Sequence, residues 1–313
     1  MDVVDLYKQR ERYHSAANLL PQRLRSAALG VEDRIKYSAE EFRLRIGRRF
    51  SINCSKFEHE PSPPTTITSD DLNALLKIAT DGSVHTAGES LKRGYVTAKG
   101  GNRIGVCGSA VVKNGEVSSI INLSSASLRI AREIKDIGKE IYEELAGEPF
   151  FPNLLIVSPP GVGKTTLLRD LVRLISDGGR RVAVADERNE LSGMVGGIPG
   201  FDIGRCTDVL EGCSKPEAVL MLLRSMSPQV IVMDEITSPE DMEAMERAAN
   251  CGVSLLATAH AYSIEDLSQR VYYRSVSRLF DRVVRISTVN GRRSYELSKL
   301  SDWKSASRCG GDD

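Results

Sequence analysis

Hydrophobic positions change rhythm partway along this chain. In the first part they alternate. Phe42-Arg43-Leu44-Arg45-Ile46 sets apolar and basic residues on opposite sides, the mark of a half-buried strand, and Gly47 turns it toward Phe50-Ser51-Ile52. Tyr95–Thr97, Arg103–Val112 and Val117–Leu123 read as further strands, the last two joined at Asn114-Gly115, a hairpin signal. Thr68-Ser69-Asp70-Asp71 caps a helix carried by Leu72, Leu75, Leu76 and Ile78, and a second helix is expected over Val84–Leu91. Residues 1–36 are charged and helical in character, with Leu19, Leu20 and Leu24 as the apolar face and Pro21 breaking or starting a helix. They read as a solvated surface helix pair.

Later the rhythm becomes one of short, mostly apolar runs, Leu154–Val157, Arg181–Ala185, Val230–Met233 and Val253–Ala257, separated by helical patterns. That order predicts a parallel sheet in an α/β domain. The expected organisation is a helical segment over 1–37 and a smaller N-terminal α+β domain over 38–147, whose connecting helix ends at Gly147-Glu148-Pro149. An α/β P-loop domain over 148–303 follows, closed by an edge hairpin turning at Asn290-Gly291, then a disordered tail over 304–313.

The candidate chemistry begins where the first of those runs ends. Ser158-Pro159-Pro160-Gly161-Val162-Gly163-Lys164-Thr165-Thr166 lies between the strand Leu154–Val157 and a helix opening at Lys164. Strand, glycine-bearing loop, Gly-Lys-Thr and helix in that order make a P-loop. Its backbone N–H groups form an anion nest, and the helix N-terminus adds partial positive charge. Lys164 is expected to reach the β- and γ-phosphates and Thr165 to hold Mg²⁺. The strict pattern opens on Gly; Ser158 stands there instead and is compatible with the loop if its φ is negative.

Acids follow at the ends of later strands, where ligands bind in such sheets. Asp186-Glu187-Arg188 ends one. Asp234-Glu235 ends Val230–Met233, the Walker B pattern, with Asp234 placed for the metal and Glu235 for the attacking water. Ser238-Pro239-Glu240-Asp241 then caps a helix. The next strand ends in Thr258-Ala259-His260, and Thr258 or His260 is a candidate γ-phosphate sensor. Gly193–Gly200 is too glycine-rich for regular structure and is expected to be a mobile loop. Arg188, Arg205 and Arg224 are candidates for phosphate contact or for action on a neighbouring subunit, each equally open to a structural role.

Composition narrows the picture only a little. Over 313 residues, 42 basic and 42 acidic side chains cancel, so nothing pulls the whole chain toward nucleic acid or anionic membrane. Arg43, Arg45, Arg48 and Arg49 make a local basic face, which reads as a solvated strand face more readily than as a binding surface. Six cysteines without a Cys-x-x-Cys pair and four scattered histidines argue against zinc and for reduced thiols. No signal peptide or membrane-length apolar run is evident, so a cytoplasmic protein is expected, docking on membranes only through a protein partner. The absence of an Asn-Lys-x-Asp guanine-reading motif favours ATP over GTP.

Several separate stretches resemble the stage III sporulation protein AA family: the loop and helix from Ser158 to Asp170, Asp186-Glu187-Arg188-Asn189-Glu190, Thr207–Cys213, Arg224–Glu235, Glu41–Arg48, Gly94–Thr97, Gly100–Gly108 and Ile130–Ile134. Two positions depart from the family's habit, Thr237 after Glu235-Ile236 and Arg49 after Arg48. The resemblance implies a RecA-like motor domain similar to type II, type IV pilus and type IV secretion ATPases. It also implies Mg²⁺-ATP hydrolysis, a homo-hexameric ring and service to the channel complex joining mother cell and forespore, with membrane channel proteins as partners. By the same resemblance Asp186-Glu187 is an acidic box, with Asp186 a further metal candidate, and His260 a histidine box. The catalytic carboxylate stays open between Glu187 and Glu235. Two other readings also stay open: an ATPase that binds single-stranded nucleic acid, and a scaffold that binds ATP without hydrolysing it.

Overall fold

The computed structural model describes residues 3–54, 56–80, 91–92, 94–261, 266, 276–289 and 292–300. The turn at Asn290-Gly291, the tail and most of the helix expected over Val84–Leu91 lie outside them. The chain divides into two compact units, one of residues 1–133 with 193–201, the other of 134–192 with 202–313.

The first unit opens with three helices, α1 (Val3–Ala17), α2 (Gln22–Leu29) and α3 (Asp33–Ser38). Pro21 is the N-cap of α2, where its missing N–H costs nothing. These helices are not a solvated pair. Tyr13, Ala16, Leu20, Leu24 and Ala28 are fully buried in one core with the strands. The sheet has six strands in the order β3-β2-β1-β6-β5-β4, antiparallel throughout. They are β1 (Ala39–Arg45), β2 (Ser51–Cys54), β3 (Phe57–His59), β4 (Tyr95–Ala98), β5 (Asn102–Lys113) and β6 (Glu116–Arg129). Helix α4 (Ser69–Ala79) starts at a capping box between Thr68 and Asp71, as its sequence predicts.

β6 runs further than expected, and the reason is a period of two. Ala126 and Leu128 are buried while Ser127 and Arg129 face outward, so the stretch pairs with β1 on one side and β5 on the other. The connecting helix shrinks accordingly to α5 (Lys139–Leu145). Residues 193–201 also belong to this first unit. Phe201 wedges against Gly101 and Gly193, where a Cβ at Gly101 would come within 2.5 Å of its ring. Arg12 donates to the carbonyls of Gly100 and Gly200, both at 3.0 Å, and lies 5.3 Å from the centre of the Phe201 ring.

The second unit holds seven strands in the order β13-β12-β7-β11-β10-β8-β9. They are β7 (Leu154–Ser158), β8 (Val182–Asp186), β9 (Thr207–Glu211), β10 (Val230–Met233), β11 (Ser254–His260), β12 (Arg282–Val289) and β13 (Arg292–Lys299). All neighbours are parallel except the β12–β13 pair. The mostly apolar runs are explained by cover on both faces. Leu154 and Ile156 point into a core with α5 and α6 (Lys164–Asp177), whereas Leu155 and Val157 point into one with α7 (Lys215–Ser225) and α8 (Pro239–Asn250). The short α9 (Val276–Leu279) precedes β12. Among the described residues no helix is long and apolar enough to cross a membrane.

Candidate nucleotide site

The central strands β7, β10 and β11 end at the same edge of the sheet, so residues far apart in sequence meet there. β7 passes into the loop Pro159–Gly163, whose positive-φ positions are Gly161 and Gly163, a conformation that glycine alone adopts freely. Ser158 is not among the positive-φ residues. It is buried as the last residue of β7, and its hydroxyl donates to the Pro159 carbonyl at 2.8 Å. The condition under which serine suits this place is therefore met. Lys164 and Thr165 open α6, with Gly163 as its N-cap.

The Lys164 ammonium is buried. It donates to the carbonyls of Ser158 (3.0 Å) and Pro159 (3.3 Å) and lies 2.6 Å from His260 Nδ1. An ammonium has only protons to give, so in this contact Nδ1 is the acceptor, which leaves Nε2 as the donor. That nitrogen faces Glu235 Oε1 at 3.2 Å. Lys164, His260 and Glu235 thus form one chain of polar contacts. β11 lies beside β7 with His260 opposite Ser158, the register that brings the histidine to the loop. Desolvation lowers the Lys164 pKa, against the opposing pull of Asp234 and Glu235.

A second chain runs alongside. The Thr165 hydroxyl donates to Asp234 Oδ2 at 3.0 Å, and the Thr258 hydroxyl donates to Asp234 Oδ1 at 2.7 Å. Desolvation raises the Asp234 pKa, an effect that these two hydroxyls oppose. Thr258 Oγ1 also accepts the Glu235 N–H at 2.8 Å, and its carbonyl accepts the Ile236 N–H at 2.9 Å. The clamp matters because Glu235 has φ +52°, which a non-glycine residue adopts only when its surroundings impose it. Lys215 completes the clamp. Its ammonium, nearly buried, donates to the Glu235 carbonyl at 2.5 Å and the Thr237 hydroxyl at 3.3 Å, and lies 3.0 Å from Asp241. Asp241 belongs to the capping box that Ser238 opens. Thr237 is thus built into the support of Glu235.

Both residues of the acidic box line one cleft. Asp186 is buried, and its two oxygens accept from the N–H groups of Glu190, Leu191 and Ser192 and from the Ser192 hydroxyl, at 2.7–3.2 Å. These four bonds hold a loop, and Asp186 lies close enough to Asp234 for its charge to help raise that group's pKa. Glu187 lines the cleft together with Arg188, Asp234 and Glu235. Arg188 reaches to 3.8 Å from Glu235. Arg205 instead donates to the Asp177 carbonyl at 3.1 Å, and Arg224 is exposed on α7. Two residues at this site escape a linear reading. Lys215 is visible only once α7 is packed on the end of β10. Arg293, on the terminal hairpin, is visible only once β12 is paired with β7.

With this geometry in view, the comparisons with known proteins are consistent with one another. The family described as sporulation stage III, protein AA, matches residues 10–294. A stage III sporulation protein AA of Bacillus subtilis (strain 168) is 35% identical over 286 residues, 88% of this chain and 91% of that protein. Among solved structures, the pilus retraction motor PilT with bound ADP superposes with a TM-score of 0.61 at 18% identity, covering 87% of this chain and 84% of that one. The Legionella pneumophila ATPase DotB superposes with a TM-score of 0.55 at 16% identity, covering 87% and 83%. At such identities the likeness shows a fold, that of the RecA-like secretion and pilus ATPases. The family itself rests on the sequence matches, and by them this chain belongs to the sporulation stage III protein AA family.

Proposed function

We propose that this protein is a cytoplasmic Mg²⁺-dependent ATP hydrolase of the secretion-motor type, acting as a homo-hexamer on the membrane channel proteins of the sporulation complex. The observation that carries the reading is the pair of polar chains, Lys164–His260–Glu235 and Thr165–Asp234–Thr258, gathered beside a loop whose glycines hold positive φ. The residues suit both ligands. The loop, Lys164 and the α6 N-terminus supply positive potential for a triphosphate. Thr165 and Asp234 present two oxygens 3.0 Å apart, the hard-donor set that Mg²⁺ prefers. When bound, the ion would draw charge from the phosphate oxygens. Phosphoryl transfer needs positioning and charge stabilisation more than covalent help.

In this reading Lys164 leaves its carbonyl partners for phosphate, and Glu235 accepts a proton from the attacking water. Thr258 and Lys215 hold the Glu235 backbone in its left-handed turn. His260 reports the state of Lys164 to Glu235. Glu187, in the same cleft, is the second candidate base, and Asp186 keeps the loop 190–192 in place. Two candidate bases at the cleft favour turnover over a scaffold that only binds ATP. Phosphate release from Mg²⁺-ATP tests the proposal. Wild-type protein should release phosphate and Lys164→Ala should not. A variant as fast as wild type, or a wild-type protein inert in every oligomeric state it adopts, would sink it.

A further inference from the structure

Hairpin β12–β13 does more than close an edge of the sheet. β12 pairs with β7 from Arg282 opposite Leu154 to Arg285 opposite Val157. It then continues to Val289, whereas β7 ends at Ser158. At roughly 3.3 Å per residue the overhang carries the hairpin past the end of β7, alongside the loop that follows. β13 returns from Arg292, with Arg293 opposite Thr288. The Arg293 guanidinium packs on the loop itself: a Cβ placed on Gly163 would lie 3.0 Å from its Cζ, 3.2 Å from Nη1 and 3.3 Å from Nε.

Two features of this arginine need explaining. It is exposed, yet among the described residues it has neither a hydrogen bond nor an ion pair. Its neighbours on the same hairpin are matched, Arg282 to Glu148 at 3.1 Å and Arg285 to Glu296 at 2.8 Å. It also lies where positive potential is already concentrated, beside the residue that caps α6 and next to Lys164 in sequence. Like charges so placed repel, and an anion received by the loop would relieve all of them together. The planar guanidinium, with its five donors, is the side chain best shaped for phosphate oxygens.

We propose that Arg293 is a phosphate-binding residue of this site, supplied by the same chain that supplies the loop and directed at the nucleotide's phosphates, not its base. The inference rests on the nucleotide-binding reading above and adds to it a residue from outside the motifs. Glycine at 163 then has a second purpose, since any side chain there would push the guanidinium off the loop.

Binding of Mg²⁺-ATP and of Mg²⁺-tripolyphosphate, which has no base, to the full chain decides the matter. Losing one charge-assisted hydrogen bond weakens binding by about tenfold. Arg293→Ala should lose that much for both ligands, Arg293→Lys should recover part of it, and Arg285→Ala should bind as wild type. The loss should shrink as salt is raised. The unliganded melting temperature of Arg293→Ala should not fall below wild type, because the side chain has no partner to lose and a repulsion to relieve. A loss for ATP but not for tripolyphosphate would overturn the assignment in favour of a base contact. If Lys164→Ala abolishes ATP binding while Arg293→Ala leaves it intact, this inference fails alone. If wild type binds neither ligand, the nucleotide reading fails and takes this one with it.

Discussion

In the six-stranded sheet three of the four basic residues on β1 and the turn after it meet an acid, Arg43 with Glu41, Arg45 with Glu58 and Arg49 with Glu60. Around the loop of the seven-stranded sheet, Lys164 meets carbonyls, the Ser158 hydroxyl and His260 in place of an acid, and the Arg293 side chain has no polar partner among the described residues. The carboxylates divide the same way. Burial alone would raise Glu41, yet hydrogen bonds from Ser127 and Asn53 and the charge of Arg43 outweigh it and hold the group below its ordinary value. Burial would raise Asp71 as well, and Arg23 with Thr68 keeps it low. At the site the balance reverses: desolvation prevails, lowering Lys164 and raising Asp234. Glu41 and Asp71 of the first unit are matched by partners that favour their charged forms. Charges at the site are held at a cost to stability, which is what an arrangement awaiting a charged ligand requires.

The largest expected effect separates the two candidate bases of the cleft, Glu235 and Glu187. Glu235→Gln should lower the rate of phosphate release by about 10²-fold or more, in the range for losing a positioned base, and leave ATP binding near wild type. Glu187→Gln should cost less. The warrant is position: Glu235 is fixed by Thr258 and Lys215 and faces His260. The reverse order in single-turnover measurements would move the base to the acidic box.

Next in size is a test of whether the contrast runs between units or between site and scaffold. Lys215 lies in the second unit but is matched like the arginines of the first, with Asp241 at 3.0 Å. Removing one partner of a nearly buried pair costs about 3 kcal/mol. Lys215→Met should therefore lower the melting temperature by several degrees. A melt equal to wild type would mean that this lysine, too, is held at a cost, and that the contrast is one of units.

A third test uses pH and costs about 1 kcal/mol, the scale of a lost cap. The folded pKa of Asp71 is depressed, so between its folded and unfolded values the unfolded chain binds more protons. Its contribution is present above the unfolded value of 3.8 and is lost as pH falls through the folded one. The folded pKa of Asp234 is raised, so the folded chain binds more protons, and stability declines as pH rises through that value. Asp71→Asn should thus melt below wild type at neutral pH and Asp234→Asn above it, both differences narrowing toward acid. Melts that shift in the same direction would remove the contrast.

What the sequence made legible follows the range of the interactions. The loop Ser158–Thr166, Asp234-Glu235 and the capping boxes at Thr68 and Ser238 are local patterns, and they stand in the structure where the sequence places them. Asp186 was legible as an acid at a strand end but not as the anchor of Glu190–Ser192, because three of its four donors are backbone N–H groups, which every residue but proline carries. The burial of α1 and α2 was hidden by their charge, since Tyr13, Ala16 and Ala28 give a thin apolar stripe until the sheet beneath them exists. Residues 193–201 left no sign of their place in the first unit, for Phe201 finds Gly101 across a hundred residues. Arg293 was one basic residue among many until the register of β12 on β7 gave it a neighbour.

The smallest expected effect is also the one that bears on the competing reading as a nucleic-acid-binding ATPase. Arg45 and Arg49 face Glu58 at 3.5 Å and Glu60 at 3.0 Å, with all four side chains about half exposed. Exposed pairs of this kind contribute less than about 1 kcal/mol each, so Arg45→Ala with Arg49→Ala should scarcely move the melt. A surface that binds nucleic acid releases counterions and shows a steep salt dependence, which needs unmatched cations. Here Arg43, Arg45 and Arg49 already face carboxylates that a phosphate would have to displace. The full chain should accordingly show no salt-dependent binding of single-stranded oligonucleotides through this face, and the double variant should behave as wild type. Binding that falls with salt and disappears in the double variant would show that Glu58 and Glu60 yield to phosphate, and the first unit's charges would then be as available as those of the loop.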